Sequence, residues 1–85
     1  MLEYYAKPIN RNKMPRLTGK QVAEFLEKHG WESNGSSGSH FFYSKDGYED
    51  ITVPIHNNEV LRTGTQKTII KSSGIPEEVW LTWRY

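Results

Sequence analysis

The stretch TGKQVAEFLEKHGW, residues 18–31, decides the fold because it carries a complete set of helix signals. Thr18 and Gln21 fit a capping box, in which each side chain accepts a hydrogen bond from the backbone N–H of the other residue. Apolar residues then recur at the spacing of one helix face. Gly30 can end the helix in a left-handed conformation, and Trp31 is placed to fold back on Leu26. The stretch therefore predicts an amphipathic helix that ends at Gly30.

Short extended segments bounded by turn residues follow this helix. In the last of them, Ile51, Val53 and Ile55 alternate with polar positions, as on a strand with one buried face. Pro54 cannot donate to a ladder, which places it at a strand end or a sheet edge. The predicted strands are 31–34, 39–44 and 50–55, with a flexible loop at Gly35–Gly38 and an Asp-Gly hairpin turn at 45–48.

A second helix is predicted after a loop at His56–Arg62. Thr63 and Gln66 repeat the capping-box spacing, and Gly74 repeats the helix end. Pro76 then opens one short helical turn before an aromatic tail. The order helix, three antiparallel strands, helix predicts an α+β fold with both helices on one face of the sheet, the plan of double-stranded-RNA-binding domains.

Length and composition narrow the function classes. A chain of 85 residues allows one small domain, and the absence of cysteine excludes disulfides and thiolate metal sites, which favours a cytoplasmic protein. No apolar run approaches the ~20 residues of a membrane-spanning helix. The net charge of +1 argues against a generic nucleic-acid binder. However, residues 1–20 carry five basic and one acidic side chain, whereas residues 21–50 carry two basic and six acidic ones, so a local basic surface is compatible with near neutrality.

Three histidines are the main candidates for chemistry. His29 lies in the last turn of the first helix, where a capping role is the simplest interpretation. His40 follows Gly38 and Ser39 where a loop enters an aromatic strand, and it is either a reactive group or a solvent-facing strand residue. His56, at the end of the third strand, leaves the same two interpretations open. The three histidines lack metal-ligand spacing, so no metal or other cofactor is expected.

Four blocks of the sequence, taken in order, resemble the HicA family of toxin–antitoxin modules: EKHGW at 27–31, GSH at 38–40, TVPIH at 52–56, and the segment from GT at 64–65 to SGI at 73–75. The resemblance covers roughly residues 14–79 and implies a family domain at 14–80, between an N-terminal arm at 1–13 and a tail at 81–85. It also implies a small endoribonuclease that cleaves mRNA without metal and is inhibited by a HicB-type antitoxin. The essential histidine of the family falls on His40.

Cleavage of RNA without metal needs a proton acceptor for the 2′-hydroxyl, a proton donor for the departing 5′-oxygen, and cations near the phosphate. His40 is the candidate general acid or base, and His56 is a possible auxiliary group. Relatives usually read Gly-Thr-Leu-Arg where this chain has Gly64-Thr65-Gln66-Lys67, so Gln66 replaces a core leucine. The substrate-binding candidates are Gly38, Ser39, Arg62, Lys67 and Lys71.

Two other functions fit the same residues. The chain is alternatively a non-catalytic RNA-binding module of the same fold, which would retain RNA through Lys67 and Lys71 without cutting it. It is also compatible with a protein-interaction domain, in which Trp80, Trp83 and Tyr85 of the aromatic tail pack on a partner or form a homodimer.

Overall fold

The computed structural model describes residues 14–83. The predicted arm at 1–13 and the last two residues, Arg84 and Tyr85, lie outside the described residues. The elements run in the order α1 (Gly19–Lys28), β1 (Glu32–Ser37), β2 (His40–Ser44), β3 (Ile51–Pro54), α2 (Thr63–Ser72) and α3 (Glu77–Thr82). This is the predicted α+β order.

Helix α1 begins and ends as its sequence predicts. Thr18 Oγ1 accepts from the N–H of Gln21 at 3.1 Å, and the Gln21 side chain accepts from the N–H of Thr18 at 2.9 Å. At the other end Gly30 has φ +94°, and the N–H of Trp31 donates to Leu26 O at 3.0 Å. This is the backbone hydrogen bond expected of a Schellman motif. The apolar face of α1 is buried in the core.

The strands form one antiparallel sheet in the order β1-β2-β3. Strand β3 is an edge strand that ends at Pro54, in agreement with the missing donor. The Asp-Gly turn is also confirmed, with Gly47 at φ +86° and the N–H of Tyr48 donating to Lys45 O at 3.0 Å. Helices α1 and α2 both pack against β3, and the buried side chains between the helices and the sheet form the core.

The flexible loop predicted at Gly35–Gly38 is wrong. Strand β1 continues through Ser37, and only Gly38 and Ser39 turn the chain before Ser37 pairs with His40. Between Ser33 and Ser36 the register shifts by one residue, which is a β-bulge, and Gly35 takes φ +93° there. The small polar residues resemble a loop in composition, but pairing with β2 orders them as a bulged strand.

The capping box predicted for α2 is also wrong. Arg62 is the N-cap residue of α2, and no side chain caps it. Gln66 is buried and binds the segment before α1: its Oε1 accepts from the N–H of Leu17 at 2.9 Å, and its Nε2 donates to Pro15 O at 2.8 Å. At the other end Gly74 has the expected positive φ, +73°. The buried Ser73 stabilises this end of the helix, because its Oγ donates to Ile70 O and accepts from the N–H of Ile75.

Of the predicted aromatic tail, Trp80 and Trp83 are described, and both pack against Phe25. Helix α3 extends to Thr82, and Trp80 is fully buried, with its ring stacked on Phe25 at a centroid distance of 3.8 Å. Trp83 meets the same Phe25 ring edge-on at 5.3 Å. The prediction that Trp80 is an exposed contact for a partner or a second copy is therefore wrong, because Trp80 belongs to the core. Among residues 14–83, no helix has the length and apolar character needed to cross a membrane.

Candidate active site

The Gly38-Ser39-His40 block forms the turn between β1 and β2 and the first residue of β2. Gly38 has φ +61°, the positive value that a tight two-residue hairpin turn of this kind requires at its first position. A Cβ built on Gly38 would have no neighbour within 4 Å, so the space around the turn is open. The carbonyl of Ser39 accepts from the N–H of Ile55 at 2.8 Å. This bond fixes the turn against the end of β3.

His40 is exposed on the face of the sheet that points away from the helices. Side chains alternate between the two faces along β2. Tyr43 marks the inner face, because it is only 4% exposed and its hydroxyl donates to Glu27 of α1 at 3.0 Å. Phe41 packs against the same core. His40 therefore belongs to the outer face, together with Phe42.

The pairing of β2 with β3 brings the second candidate histidine to the same end of the sheet. His40 pairs with Pro54, and the bond from Ile55 to Ser39 continues this register by one residue. If this register is continued by one more residue, the exposed His56 lies opposite Gly38 of the turn. The structure thus places both exposed histidines of the described chain at one end of the sheet. Whether His56 takes part in catalysis stays a prediction.

Helix α1 supports this end of the sheet through a residue that the sequence analysis did not single out. Gly19, the first residue of α1, is buried against the end of β3, and a Cβ built on it would overlap Pro54 O and lie 3.0 Å from the Cα of Ile55. Only a glycine allows this approach without a shift of the backbone. The sequence contains one sign of this contact. Gly19 directly follows the N-cap residue Thr18, at a position where a capping box does not require glycine.

The predicted substrate-binding cations lie on the helix layer. Lys67 and Lys71 are exposed on α2 and line a groove that also includes Arg16, which the sequence analysis did not select. Aliphatic side chains also line the groove, and His40 is not among its lining residues. Arg62 is exposed at the start of α2. The structure therefore brings Gly38, Ser39 and His40 together and assigns Lys67 and Lys71 to a groove that His40 does not line.

The third histidine has structural contacts. His29 is the C-cap residue of α1, and its Nδ1 lies 2.9 Å from Phe25 O, which it reaches as a donor. Its ring stacks on Phe25 at a centroid distance of 4.2 Å and approaches Trp83 edge-on. These contacts match the capping interpretation. Residues 14–83 contain no group of three His, Cys, Asp or Glu side chains able to hold a metal ion.

The arrangement of two helices on one face of a three-stranded antiparallel sheet, with an exposed histidine at a hairpin end, defines a small α+β protein of the double-stranded-RNA-binding-domain-like fold. The family described as the HicA toxin of bacterial toxin–antitoxin systems matches residues 19–75. The chain belongs to this HicA toxin family, and it is therefore a toxin of a toxin–antitoxin system.

A solved structure gives the same result. A chain of a toxin–antitoxin complex from Streptococcus pneumoniae is 32% identical in sequence, with a TM-score of 0.60. The similarity covers 69% of this chain and 98% of that chain. Among proteins with curated descriptions, none matches. The family membership that the four sequence blocks predicted is thus confirmed, as is the fold.

Proposed function

We propose that this toxin is a metal-independent endoribonuclease that cleaves mRNA, with His40 as its catalytic general acid or base. The observation that carries the proposal is the position of His40, exposed beside an open hairpin turn on the outer face of the sheet. Histidine is the side chain that most often serves as a general acid or base in enzymes. Strand β2 pairs with both neighbouring strands, and this pairing fixes the backbone of His40.

The reaction proceeds by transfer within the RNA. The 2′-oxygen loses its proton to a base and attacks the adjacent phosphorus, and the bond from phosphorus to the 5′-oxygen breaks as that oxygen receives a proton. The products are a 2′,3′-cyclic phosphate and a 5′-hydroxyl, so the step consumes no water. His40 serves one of the two proton transfers, and His56, at the same end of the sheet, is the candidate for the other.

The remaining candidate residues would position the RNA. Ser39 is half-buried in the turn and Gly38 is exposed, so a phosphate can approach the backbone there. Lys67, Lys71 and Arg62 would contact phosphates further along the strand, which requires the RNA to pass from the outer face of the sheet to the helix layer. Cleavage is then expected to weaken as salt is added, because each phosphate contact releases counterions.

The proposed partner is an antitoxin protein of the HicB type. The similar structure is that of a toxin–antitoxin complex, which supports an antitoxin partner for this chain as well. We propose that the antitoxin covers His40 and keeps RNA away from the outer face, in the cytoplasm where mRNA is available. A co-purification with the product of an adjacent gene, followed by loss of nuclease activity in the complex, tests this part.

The test of the nuclease is cleavage of an mRNA transcript in the presence of EDTA by the wild type, His40→Ala and His56→Ala. Removing a general acid or base is expected to lower the rate by roughly 10²- to 10⁴-fold. His40→Ala should show this loss with an unchanged thermal unfolding curve, and its expression should no longer arrest growth. Undiminished cleavage by His40→Ala would refute the proposal. RNA binding without any cleavage by the wild type would instead favour the non-catalytic RNA-binding module.

A further inference from the structure

Phe42 is an aromatic residue of β2 that does not serve the core. Its neighbour Phe41 packs against the core cluster and Tyr43 belongs to it, but Phe42 does neither. By strand alternation Phe42 shares the outer face with His40, and its side chain is half-buried. The described helices α1 and α2 pack on the opposite face. An aromatic ring thus lies partly open to solvent, two residues from the proposed catalytic group.

The spacing between the two residues suits one nucleotide. Two residues along a strand are separated by roughly 6.6 Å. RNA whose phosphate lies at the His40 imidazole therefore has a neighbouring base within reach of the Phe42 ring. On one side of His40 the strand ends, because the chain turns back at Gly38. On the other side, toward Ser44, Phe42 is the next residue of β2 on this face.

The surroundings of Phe42 are small, polar and uncharged. Its cross-strand partner on β3 is the exposed Thr52. Because Ser39 and Ile55 form a hydrogen-bonded pair, the alternate pair of Phe42 and Thr52 is of the closely spaced kind, with Cα atoms about 4.5 Å apart. On the other side, Asn34 and Gly35 form the bulge opposite Phe42, and both residues are exposed. The positions that flank Phe42 on both neighbouring strands are therefore exposed and uncharged.

We infer that Phe42 is a stacking platform for the base next to the scissile phosphate, with the Thr52 hydroxyl beside the edge of that base. This inference rests on the proposed ribonuclease function and names a subsite for its substrate. Aromatic residues on sheet surfaces bind single-stranded RNA by stacking, and hydroxyl groups beside them bind base edges. An apolar protein segment fits less well, because it would bury the Thr52 hydroxyl and the serine hydroxyls of β1 without partners.

The test uses a short RNA with 2-aminopurine on each side of the cleavage site, because the fluorescence of this base is quenched when it stacks on an aromatic ring. Binding is measured in the His40→Ala background, where the RNA stays intact. Phe42→Leu should weaken binding roughly 5- to 100-fold and abolish the quenching, since stacking on one aromatic residue contributes an effect of this size. Phe42→Trp should retain both. Tyr48→Leu is the matched control, since Tyr48 is 45% exposed and its ring lies beside Trp31 and Gly74, at the other end of β2 from His40.

Each outcome separates the stacking site from the nuclease. If the wild type cleaves the RNA and Phe42→Leu binds it equally well, the stacking inference is wrong and the nuclease stands. If the wild type quenches and binds the RNA without cleaving any transcript, the nuclease is wrong and the stacking site stands. If Phe42→Leu loses affinity for the antitoxin but not for RNA, Phe42 is a protein contact and the inference is wrong. Should Phe42→Leu not fold, an absence of quenching by the wild type and by Phe42→Trp overturns the inference.

Discussion

Gln66 offers the sharpest test of how this fold is held together. Its buried amide joins α2 to the segment before α1 through Leu17 and Pro15. Gln66→Leu replaces the amide with an apolar side chain of similar size and removes both hydrogen bonds. If apolar packing alone mattered, this substitution would be neutral or stabilising. The structure predicts that it is destabilising.

The magnitude follows from what the substitution leaves behind. The N–H of Leu17 would lose its partner in a residue that is 2% exposed, which costs about 1–3 kcal/mol. Pro15 is exposed, so water can replace the amide at its carbonyl and this second loss is small. For a chain of this length, the total corresponds to a fall in Tm of roughly 5–20 °C.

Thermal and urea unfolding, followed by tryptophan fluorescence, measure this difference. Thr68→Leu is the control, because it makes a polar-to-leucine exchange on the exposed side of the same helix and is expected to change the free energy of unfolding by less than about 0.5 kcal/mol. Gln66→Glu adds a second signature. Its carboxylate can still accept from Leu17 but cannot donate to Pro15. Because the position is buried, the pKa of the new carboxyl is raised, and the free energy of unfolding should recover as the pH falls and the carboxyl is protonated. A Tm for Gln66→Leu equal to that of the wild type would refute the reasoning.

Two further predictions concern the ends of the sheet. Gly19→Ala should lower the free energy of unfolding by about 1–3 kcal/mol in urea titrations, because the new methyl group overlaps Pro54 O; equal stability would show that α1 is not seated against β3. Burial, and then the hydrogen bond to Glu27, raise the pKa of Tyr43 from 10.0 to about 12. Since the folded pKa exceeds the unfolded one, this contribution to stability is present below pH 10 and is lost as the pH rises to about 12. Tyr43→Phe should therefore lose less stability than the wild type over that interval, and parallel curves would contradict the assignment.

The sequence predicts well the features that depend on neighbouring residues. The capping box of Thr18, the helix end at Gly30 and the Asp-Gly turn are all confirmed, because each is completed within a few positions of the chain. The alternation from Ile51 to Ile55 likewise places one face of β3 in the core. Local hydrogen bonds and periodicity are enough to specify these elements.

The same signals are wrong where a distant segment competes for the same groups. Thr63 and Gln66 have the capping-box spacing, but the chain before α1 passes close to Gln66 and takes its hydrogen bonds. Residues from Gly35 onward have a loop composition, but β2 offers them a pairing partner. Trp80 reads as part of a polar, aromatic tail, yet its ring fills the space above Phe25. Spatial neighbours decide each of these cases, and no short window of sequence contains them.

The candidate site shows the same division. The GSH block is contiguous, so its position at the start of an aromatic strand could be predicted from the sequence, whereas the hairpin that precedes it was predicted as a loop. The relation of His40 to Lys67 and Lys71 depends on how the helices pack, and the structure assigns these lysines to a groove that does not include His40. The sequence analysis did not select Phe42, although the alternation of residues 40–44 already separates the two faces of this strand.

That alternation has a consequence for how variants of this toxin should be interpreted. On β2 the residues that hold the fold, Phe41 and Tyr43, point inward, whereas His40 and Phe42 point outward and lie outside the core cluster. A substitution at either outward position would remove the proposed chemistry or stacking without opening a cavity in the core. Under the proposed function, loss of toxicity in such a variant, with an unchanged unfolding curve, therefore reports on RNA cleavage or binding. Loss of toxicity at Tyr43 reports first on the packing of α1 against the sheet.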